Sequence, residues 1–209
     1  MSILALTSDT LSSPAAAGQI EYASPIFAGT PIGTQRGIVP MQQYYRLDSA
    51  YVGSNVNTAQ STFGVGATLS ASTVYEFEIV VAFSKSAGTT SHSFGLGFGG
   101  TATINNIGFN VVGAAQSSGL TPTAASANVV EQWVSTASNT NIATGITTAA
   151  FYNYVVIKGT VSINAGGTFI PQYTLSAAPG GAYSTLAGSF IRIAPISASG
   201  AATNVGTWA

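Results

Sequence analysis

The feature that most constrains the fold is a period of two in the apolar residues of the longest hydrophobic segments. From Tyr75 to Phe83, aromatic and branched residues occupy every second position, and the alternation returns between Phe151 and Ile163. Successive side chains of a β-strand point to opposite faces, so this spacing predicts strands with one buried face. No segment combines helical spacing with a capping signal over three turns, so we expect very little helix.

Short segments of this kind, separated by turn residues, continue from about residue 42 towards the end of the chain. The Gly, Pro, Asn and Ser clusters between them are typical of tight turns in antiparallel sheets. About eight strands are expected, which suits an all-β, antiparallel β-sandwich of jelly-roll type. They cover residues 43–48, 75–83, 91–98, 104–112, 128–135, 151–163, 169–175 and 189–193.

The strand at 151–163 is expected to lie centrally in its sheet, with one aliphatic face and one face that presents two tyrosines and a lysine. Residues 84–91 are interpreted as the loop of a hairpin between the strands on either side. In the second of those strands Gly95 and Gly97 share one face. Two neighbouring positions without side chains predict that another backbone or a bulky group approaches closely there.

The first 40 residues are rich in Ser, Pro, Ala and Gly and differ from the rest of the chain. Their prolines forbid a long helix and interrupt any central strand. We therefore expect an extended N-terminal β arm or small β appendage at 1–40, with edge strands at 19–22 and 37–39, and a β-sandwich head domain at 41–209. The prolines are Pro14, Pro25, Pro31 and Pro40.

Charge is scarce. Five basic and six acidic residues make up 5% of the chain, where a typical soluble domain carries about 25%. With 46% hydrophobic and 10% aromatic residues the chain can build a core, which excludes disorder. A net charge of −1 gives a free monomer little colloidal repulsion. We expect another protein surface to cover this one.

Composition also limits the partners. The longest aliphatic or aromatic run, about Ile79 to Phe83, is far too short for a membrane-spanning helix, so no membrane partner is expected. The five basic residues are widely scattered, which argues against nucleic acid. The chain has no cysteine, and its first residues show no secretory signal.

Few residues of this chain could take part in catalysis. Acid–base catalysis needs titratable groups brought together, and the chain offers one histidine and six carboxylates. No Gly-x-Ser-x-Gly elbow accompanies the histidine. We expect no enzyme activity, no catalytic residue, no metal site and no cofactor. The titratable candidates are His92, Asp9, Glu21, Asp48, Glu76, Glu78 and Glu131.

Three local patterns resemble functional sites, and each has a structural interpretation that we favour. Glu76 and Glu78 lie roughly 6 to 7 Å apart on one strand face, a spacing near that of a glycosidase pair, but we interpret them as residues of a solvated or interface-facing strand edge. His92 lies among apolar positions and is expected to be a hydrogen-bonded structural residue rather than a metal ligand. The glycines at 95–100 lack the Lys-Ser/Thr of a phosphate-binding loop and indicate close packing.

Exposed aromatic residues are the candidates for a glycan contact. Trp133, Tyr152 and Tyr154 could stack on a sugar ring, although such residues more often fill a core or an intersubunit seam. The loop at 113–127 is a second candidate. The residues of any host-glycan contact are otherwise unknown.

Several segments resemble the module that precedes the distal head, and the trimeric head itself, of phage tail fibres and tailspikes. The first part of the resemblance is AAGQIEY at 16–22 and TQRGIVP at 34–40. The head part comprises FGVGATL at 63–69, AGTTSH at 87–92, VSINAGGTFIPQY at 161–173 and VGTWA at 205–209.

The resemblance implies a homotrimer in a phage virion. Because the module begins almost at Met1, we expect neither a tail adaptor nor a shaft, so that the head sits directly on a surface. This favours a trimeric capsid decoration (cement) protein on the outer capsid surface, bound to the major capsid protein. The alternative is a short tail-fibre or tailspike tip that binds a host surface glycan.

Overall fold

Antiparallel β-structure dominates the residues that the computed structural model describes, namely 6–12, 14–116 and 128–200 together with 202 and 205. None of these residues forms a helix. Within this part of the chain there is consequently no helix long and apolar enough to cross a membrane. The predicted fold class, an all-β antiparallel sandwich with very little helix, is confirmed.

The described residues form sixteen strands. In chain order they are β1 (Ile20–Ala23), β2 (Ile26–Ile32), β3 (Gln35–Val39), β4 (Gln43–Arg46), β5 (Tyr51–Val52), β6 (Gln60–Ser61), β7 (Ala67–Leu69), β8 (Thr73–Lys85), β9 (His92–Gly99), β10 (Thr103–Gln116), β11 (Asn128–Val134), β12 (Thr140–Ile146), β13 (Phe151–Ala165), β14 (Gly167–Leu175), β15 (Ser184–Thr185) and β16 (Phe190–Ala198). Every predicted segment coincides with one of them. Most of the others have two or three residues, too few to show a period.

Two of the three sheets form the sandwich. The eight-stranded sheet has the order β11-β10-β13-β8-β15-β5, and β16 pairs with both β8 and β4. The five-stranded sheet has the order β12-β9-β14-β6, with β7 on β14. As predicted, the strand at 151–163 is central, because β13 pairs with β10 on one edge and β8 on the other.

Aromatic rings from the two sheets meet in the core. The ring of Phe77 in β8 lies 5.3 Å from that of Phe98 in β9 and 5.7 Å from that of Phe169 in β14. Further along β8, Phe83 lies 4.9 Å from Phe94. These rings are buried, and each contributes roughly 2 to 3 kcal/mol by leaving water. This contact is what turns two one-sided apolar sheets into a sandwich.

The predicted hairpin across residues 84–91 is wrong. β8 pairs with β13 on one edge and with β15 and β16 on the other, so both of its edges are occupied within the larger sheet. β9 instead pairs with β12 and β14 in the smaller sheet. The connection therefore crosses the sandwich, which lets the apolar faces of both strands point into one core.

The glycine face of β9 is closely covered, as the sequence predicts. A Cβ atom on Gly95 would lie 2.4 Å from the side-chain oxygen of Asn139, and one on Gly97 would lie 2.9 Å from the carbonyl oxygen of Ala137. The same carbonyl accepts a hydrogen bond from the backbone N–H of Phe98 at 2.8 Å. The chain before β12 thus packs on β9, and the glycines are strand residues.

The third sheet lies in the first 40 residues and has the order β1-β2-β3. Both predicted edge strands are present as β1 and β3. Arg36 donates a hydrogen bond from Nε to Glu21 at 2.9 Å, and the other carboxylate oxygen of Glu21 accepts one from the backbone N–H of Ser12 at 2.6 Å. This network fastens the chain before β1 to the sheet. The domain boundary at residue 40 stays a prediction.

Candidate functional site

The outer face of the eight-stranded sheet carries more than half of the charged residues of the chain. The alternation in β8 buries Phe77 and Ile79 and turns Glu76 and Glu78 outward. Residues directly opposite in an antiparallel pair share a face, so the register of the sheet identifies the rest of this surface. Its charged members are Arg46, Glu76, Glu78, Glu131, Lys158 and Arg192.

One row of side chains crosses six strands of this face. Glu78 in β8 is opposite Lys158 in β13 on one side and Arg192 in β16 on the other. The row has charged residues at its centre and an aromatic residue at each end. From one edge of the sheet to the other it reads Tyr44, Arg192, Glu78, Lys158, Asn110 and Trp133.

Glu78 holds both cations of this row. Lys158 Nζ lies 3.0 Å from Glu78 Oε1, and Arg192 Nη2 pairs with Oε2. The hydrogen bond from Lys158 lowers the pKa of Glu78, assisted by the nearby charges, while partial burial opposes the shift. The carboxylate is therefore ionised at neutral pH, and at the centre of the row one negative charge is shared by two positive charges, which leaves a net charge of +1.

Glu76 and Glu78 do not have the properties of a glycosidase pair. A general acid needs a raised pKa so that it holds a proton at neutral pH, whereas the pKa of Glu78 is lowered. Glu76 is exposed and forms no ion pair with any residue in the described ranges. The structure brings the two residues together on one face as predicted, and it assigns Glu78 to an ion-pair cluster.

A cleft of about 660 Å³ opens above this cluster. Glu78, Lys158 and Arg192 form its floor, and Pro40 and Gln42, from the segment between β3 and β4, line it as well. The cleft offers two cations, two carboxylates and an amide within a shallow surface. Such a mixture suits a polar partner surface.

The two ends of the row are exposed aromatic residues. Trp133 is 69% exposed, and its indole lies over Gly108, where a Cβ atom would be 2.6 Å from a ring carbon. Tyr44 is 57% exposed, and its ring stacks at 5.4 Å on Phe190. Tyr154 also points outward and is exposed. Of the candidate loop at 113–127, residues 113–116 belong to strand β10 instead, and residues 117–127 lie outside the described residues.

His92 is a buried, hydrogen-bonded residue, as the sequence predicts. Nδ1 lies 2.7 Å from the carbonyl oxygen of Thr90 and Nε2 lies 2.7 Å from the hydroxyl of Tyr183. Burial lowers the pKa of His92, and the Thr90 carbonyl partly opposes the shift. Both ring nitrogens have partners. In the described parts of the chain, no three His, Asp or Glu residues are grouped in a way that could hold a metal ion.

Sequence reasoning did not single out Lys85, a buried cation beside His92. Its Nζ donates hydrogen bonds to the carbonyl oxygens of Gly88 at 2.8 Å and Thr148 at 2.7 Å. Burial lowers its pKa. The alternation in the sequence could have indicated its burial, because Lys85 follows Phe83 in the series of odd-numbered, buried positions of β8.

The five-stranded sheet contrasts with this charged face. The strands β6, β7, β9, β12 and β14 contain no Asp, Glu, Lys or Arg. Their outward positions are Gly, Ser, Thr, Gln and similar neutral residues. The strands of one sheet of the sandwich therefore have no charged residue, whereas the outer face of the other sheet carries most of the charge.

Comparison with known proteins does not identify a family for this chain. No protein-family model matches the sequence, and no curated protein matches it. A structure of infectious bursal disease virus Gx strain is 11% identical, with a TM-score of 0.19, over 85% of this chain and 47% of that chain. A crystal structure of the infectious bursal disease virus VP2 subviral particle is 11% identical, with a TM-score of 0.19, over 90% of this chain and 50% of that chain. The chain spans about half the length of each, and these values are too low to indicate a function.

Proposed function

We propose that this chain is a non-enzymatic structural protein of a phage virion, a homotrimeric decoration protein that binds the major capsid protein on the outer surface of the head. The resemblance of its segments to the heads of tail fibres and tailspikes supports the virion and the trimer. The surface chemistry described below supports a role in contact with the capsid.

The observation that carries the proposal is the distribution of charge over the sandwich. One sheet has no charged residue in its strands, and the other holds its central charges in mutual ion pairs around Glu78. Protein interfaces are depleted of charge and enriched in aromatic residues at their centres. Exposed Tyr44 and Trp133 fit that composition. Both faces are suited to contact with other protein subunits.

A binding role also agrees with the state of the titratable residues. Glu78 is held by two cations, and both nitrogens of His92 are occupied. Neither group is poised for proton transfer to a substrate. Such a surface acts by binding other subunits and burying area from water. A contact of several hundred Å² contributes about 25 cal/mol per Å², and many repeats of it stabilise a shell.

Copy number tests this proposal. In purified particles, quantitative mass spectrometry of this chain against the major capsid protein should give hundreds of copies per particle. A few tens of copies or fewer would contradict decoration and favour a fibre. Light scattering on the isolated protein should give the mass of three chains, and a well-behaved monomer would contradict the trimer.

A second candidate function, binding of a host surface glycan by a fibre or spike tip, is favoured by Trp133. Its exposed indole is adjacent in the row to Asn110, and Lys158 lies one strand further on, so that hydrogen-bonding groups lie beside an aromatic platform. A glycan array with the isolated protein tests it. Binding that is lost in Trp133→Ala and kept in Tyr154→Ala would support it, and no binding to any glycan would remove it.

A further inference from the structure

The two edges of the eight-stranded sheet present complementary side chains. β11 forms one edge, and β4 forms part of the opposite edge through its pairing with β16. The row that contains Glu78 ends in Trp133 on β11 and in Tyr44 on β4. Both of these aromatic side chains are largely exposed.

The neighbouring row ends in opposite charges. It passes through Val112, Val156, Val80 and Phe190, and its ends are Glu131 on β11 and Arg46 on β4. Glu131 forms no ion pair with any described residue, and Arg46 pairs only with the exposed Asp48 in that part of the chain. The acidic end of the row thus has no counter-charge among the described residues of its own copy.

Strand direction makes these two ends compatible. Five successive antiparallel pairings separate β11 from β4, so the two strands run in opposite directions. In an antiparallel pair between copies, placing Trp133 opposite Tyr44 also places Arg46 opposite Glu131, two residues further on and on the same face. One register therefore satisfies the aromatic pair and the ion pair together.

The edges also lack three of the devices that prevent strand addition, namely proline, lysine and bulges. Neither β4 nor β11 contains proline or lysine, and neither shows a bulge in its pairing within the sheet. An edge without such protection is a template for another strand. The outer edge of β11 has no strand partner among the described residues.

We propose that β11 of one copy binds β4 of a second copy in an antiparallel, head-to-tail contact, with Trp133 against Tyr44 and Glu131 against Arg46. Because the contact joins two different surfaces, it can repeat from copy to copy, and in the proposed trimer three copies close it into a ring. The number of copies rests on the proposed function, whereas the contact itself follows from the two edges.

Disulfide trapping tests the contact directly, because the chain has no cysteine of its own. Within one copy Tyr44 and Trp133 lie at the ends of a row that spans five strand spacings of about 4.8 Å, roughly 24 Å. A disulfide needs Cα atoms about 4.4 to 6.8 Å apart, so a bond between these positions must join two copies. After oxidation, most of the Tyr44→Cys/Trp133→Cys protein should migrate as covalent trimers. Each single variant should give far less covalent product, and Tyr44→Cys/Tyr154→Cys is the matched control.

The outcomes separate this contact from the proposed function. Equal cross-linking in the test and control pairs, with a wild-type protein that is trimeric by light scattering, would overturn the contact and leave the trimer. Cross-links that extend beyond three chains would support the contact and contradict the trimer. A wild-type protein that stays monomeric at all concentrations, with no cross-link, would contradict both.

A charge-reversal cycle gives a second measurement that needs no cysteine. Glu131→Arg should raise the concentration for half-assembly at least tenfold, and adding Arg46→Glu should restore most of the loss. Glu76→Arg, an exposed glutamate in the middle of the same face, is the control and should leave assembly unchanged. Failure of the second substitution to restore assembly would contradict the pairing.

Discussion

The hydroxyl of Tyr183 donates a hydrogen bond to Nε2 of His92, 2.7 Å away in the protein interior. The direction follows from the other side of the ring, because the carbonyl oxygen of Thr90 can only accept and Nδ1 must therefore donate to it. Burial lowers the pKa of His92, so the neutral imidazole with one donor and one acceptor is the form that fits. This link ties the start of β9 to the segment that leads into β15.

Tyr183→Phe should destabilise the protein by about 1 to 3 kcal/mol, because it leaves Nε2 of His92 buried without a donor. Urea unfolding followed by tryptophan fluorescence measures the loss. Tyr173→Phe is the matched control: Tyr173 is equally buried, but its hydroxyl has no hydrogen-bond partner in the described residues. That control should be neutral or stabilising, and equal losses in the two variants would contradict the assignment.

Stability should decrease as the pH falls below about 6.5, because the folded protein disfavours the charged imidazole. The pKa of His92 is lower in the folded than in the unfolded protein. Its contribution to the free energy of unfolding is therefore complete above the unfolded pKa near 6.5 and is lost as the pH falls towards the folded pKa. His92 is the single histidine of the chain. The pKa of Glu78 is lowered from 4.5, so its contribution is lost only below that pH.

Urea unfolding between pH 5 and pH 8 checks this dependence, and the carboxylates, with an ordinary pKa near 4.5, contribute little over most of that range. The free energy of unfolding should be flat at the upper end of this range and fall at the lower end. His92→Gln should reduce the slope of the free energy of unfolding against pH. A flat profile for the wild-type protein would show that the imidazole titrates alike in the folded and unfolded states.

Glu78→Gln should cost about 1 kcal/mol, because Lys158 and Arg192 are left close together without their shared carboxylate. The estimate is modest since both cations are substantially exposed and water screens them. Glu76→Gln, two residues away on the same face, should change stability by less than about 0.5 kcal/mol. Thermal unfolding of the two variants measures the difference in their stability, which should become smaller in high salt.

Gly97→Ala should destabilise the protein by about 2 kcal/mol or more. The added Cβ would lie 2.9 Å from the carbonyl oxygen of Ala137, which must shift and lose its hydrogen bond to Phe98. Gly37→Ala in β3 is the control, because nothing lies within 4 Å of its Cβ position. Similar unfolding midpoints for the two variants would contradict the close packing of residue 137 on β9.

Local patterns in the sequence predict the strands but not their neighbours. The alternation around Phe77 and Phe83 identifies β8 and its outward glutamates, since the geometry of a strand depends on adjacent residues. The partners of Glu78 come from β13 and β16, which are distant in sequence and are set by the pairing of whole strands. The ion-pair cluster could therefore not be predicted from the spacing of Lys158 and Arg192.

The hairpin prediction across residues 84–91 failed for the same reason, because local sequence does not reveal which strands pair. Residues 84–91 include Gly88 and look like a turn, and a turn alone does not reveal whether the next strand joins the same sheet or the opposite one. That choice depends on competition for the edges of β8, which β13, β15 and β16 occupy. Lys85 was part of the predicted loop, yet it is the last residue of β8 and lies buried at an odd-numbered position like Phe83.

The uncharged strands of the five-stranded sheet have a consequence for how contacts respond to ionic strength. Dissolved ions screen charges, with a Debye length of about 10 Å at 0.1 M salt, and β6, β7, β9, β12 and β14 have no ionised side chain to screen. A contact made through that sheet should keep its affinity from dilute buffer to molar salt. A contact through the opposite face, where Glu131 and Arg46 lie, should weaken over the same range.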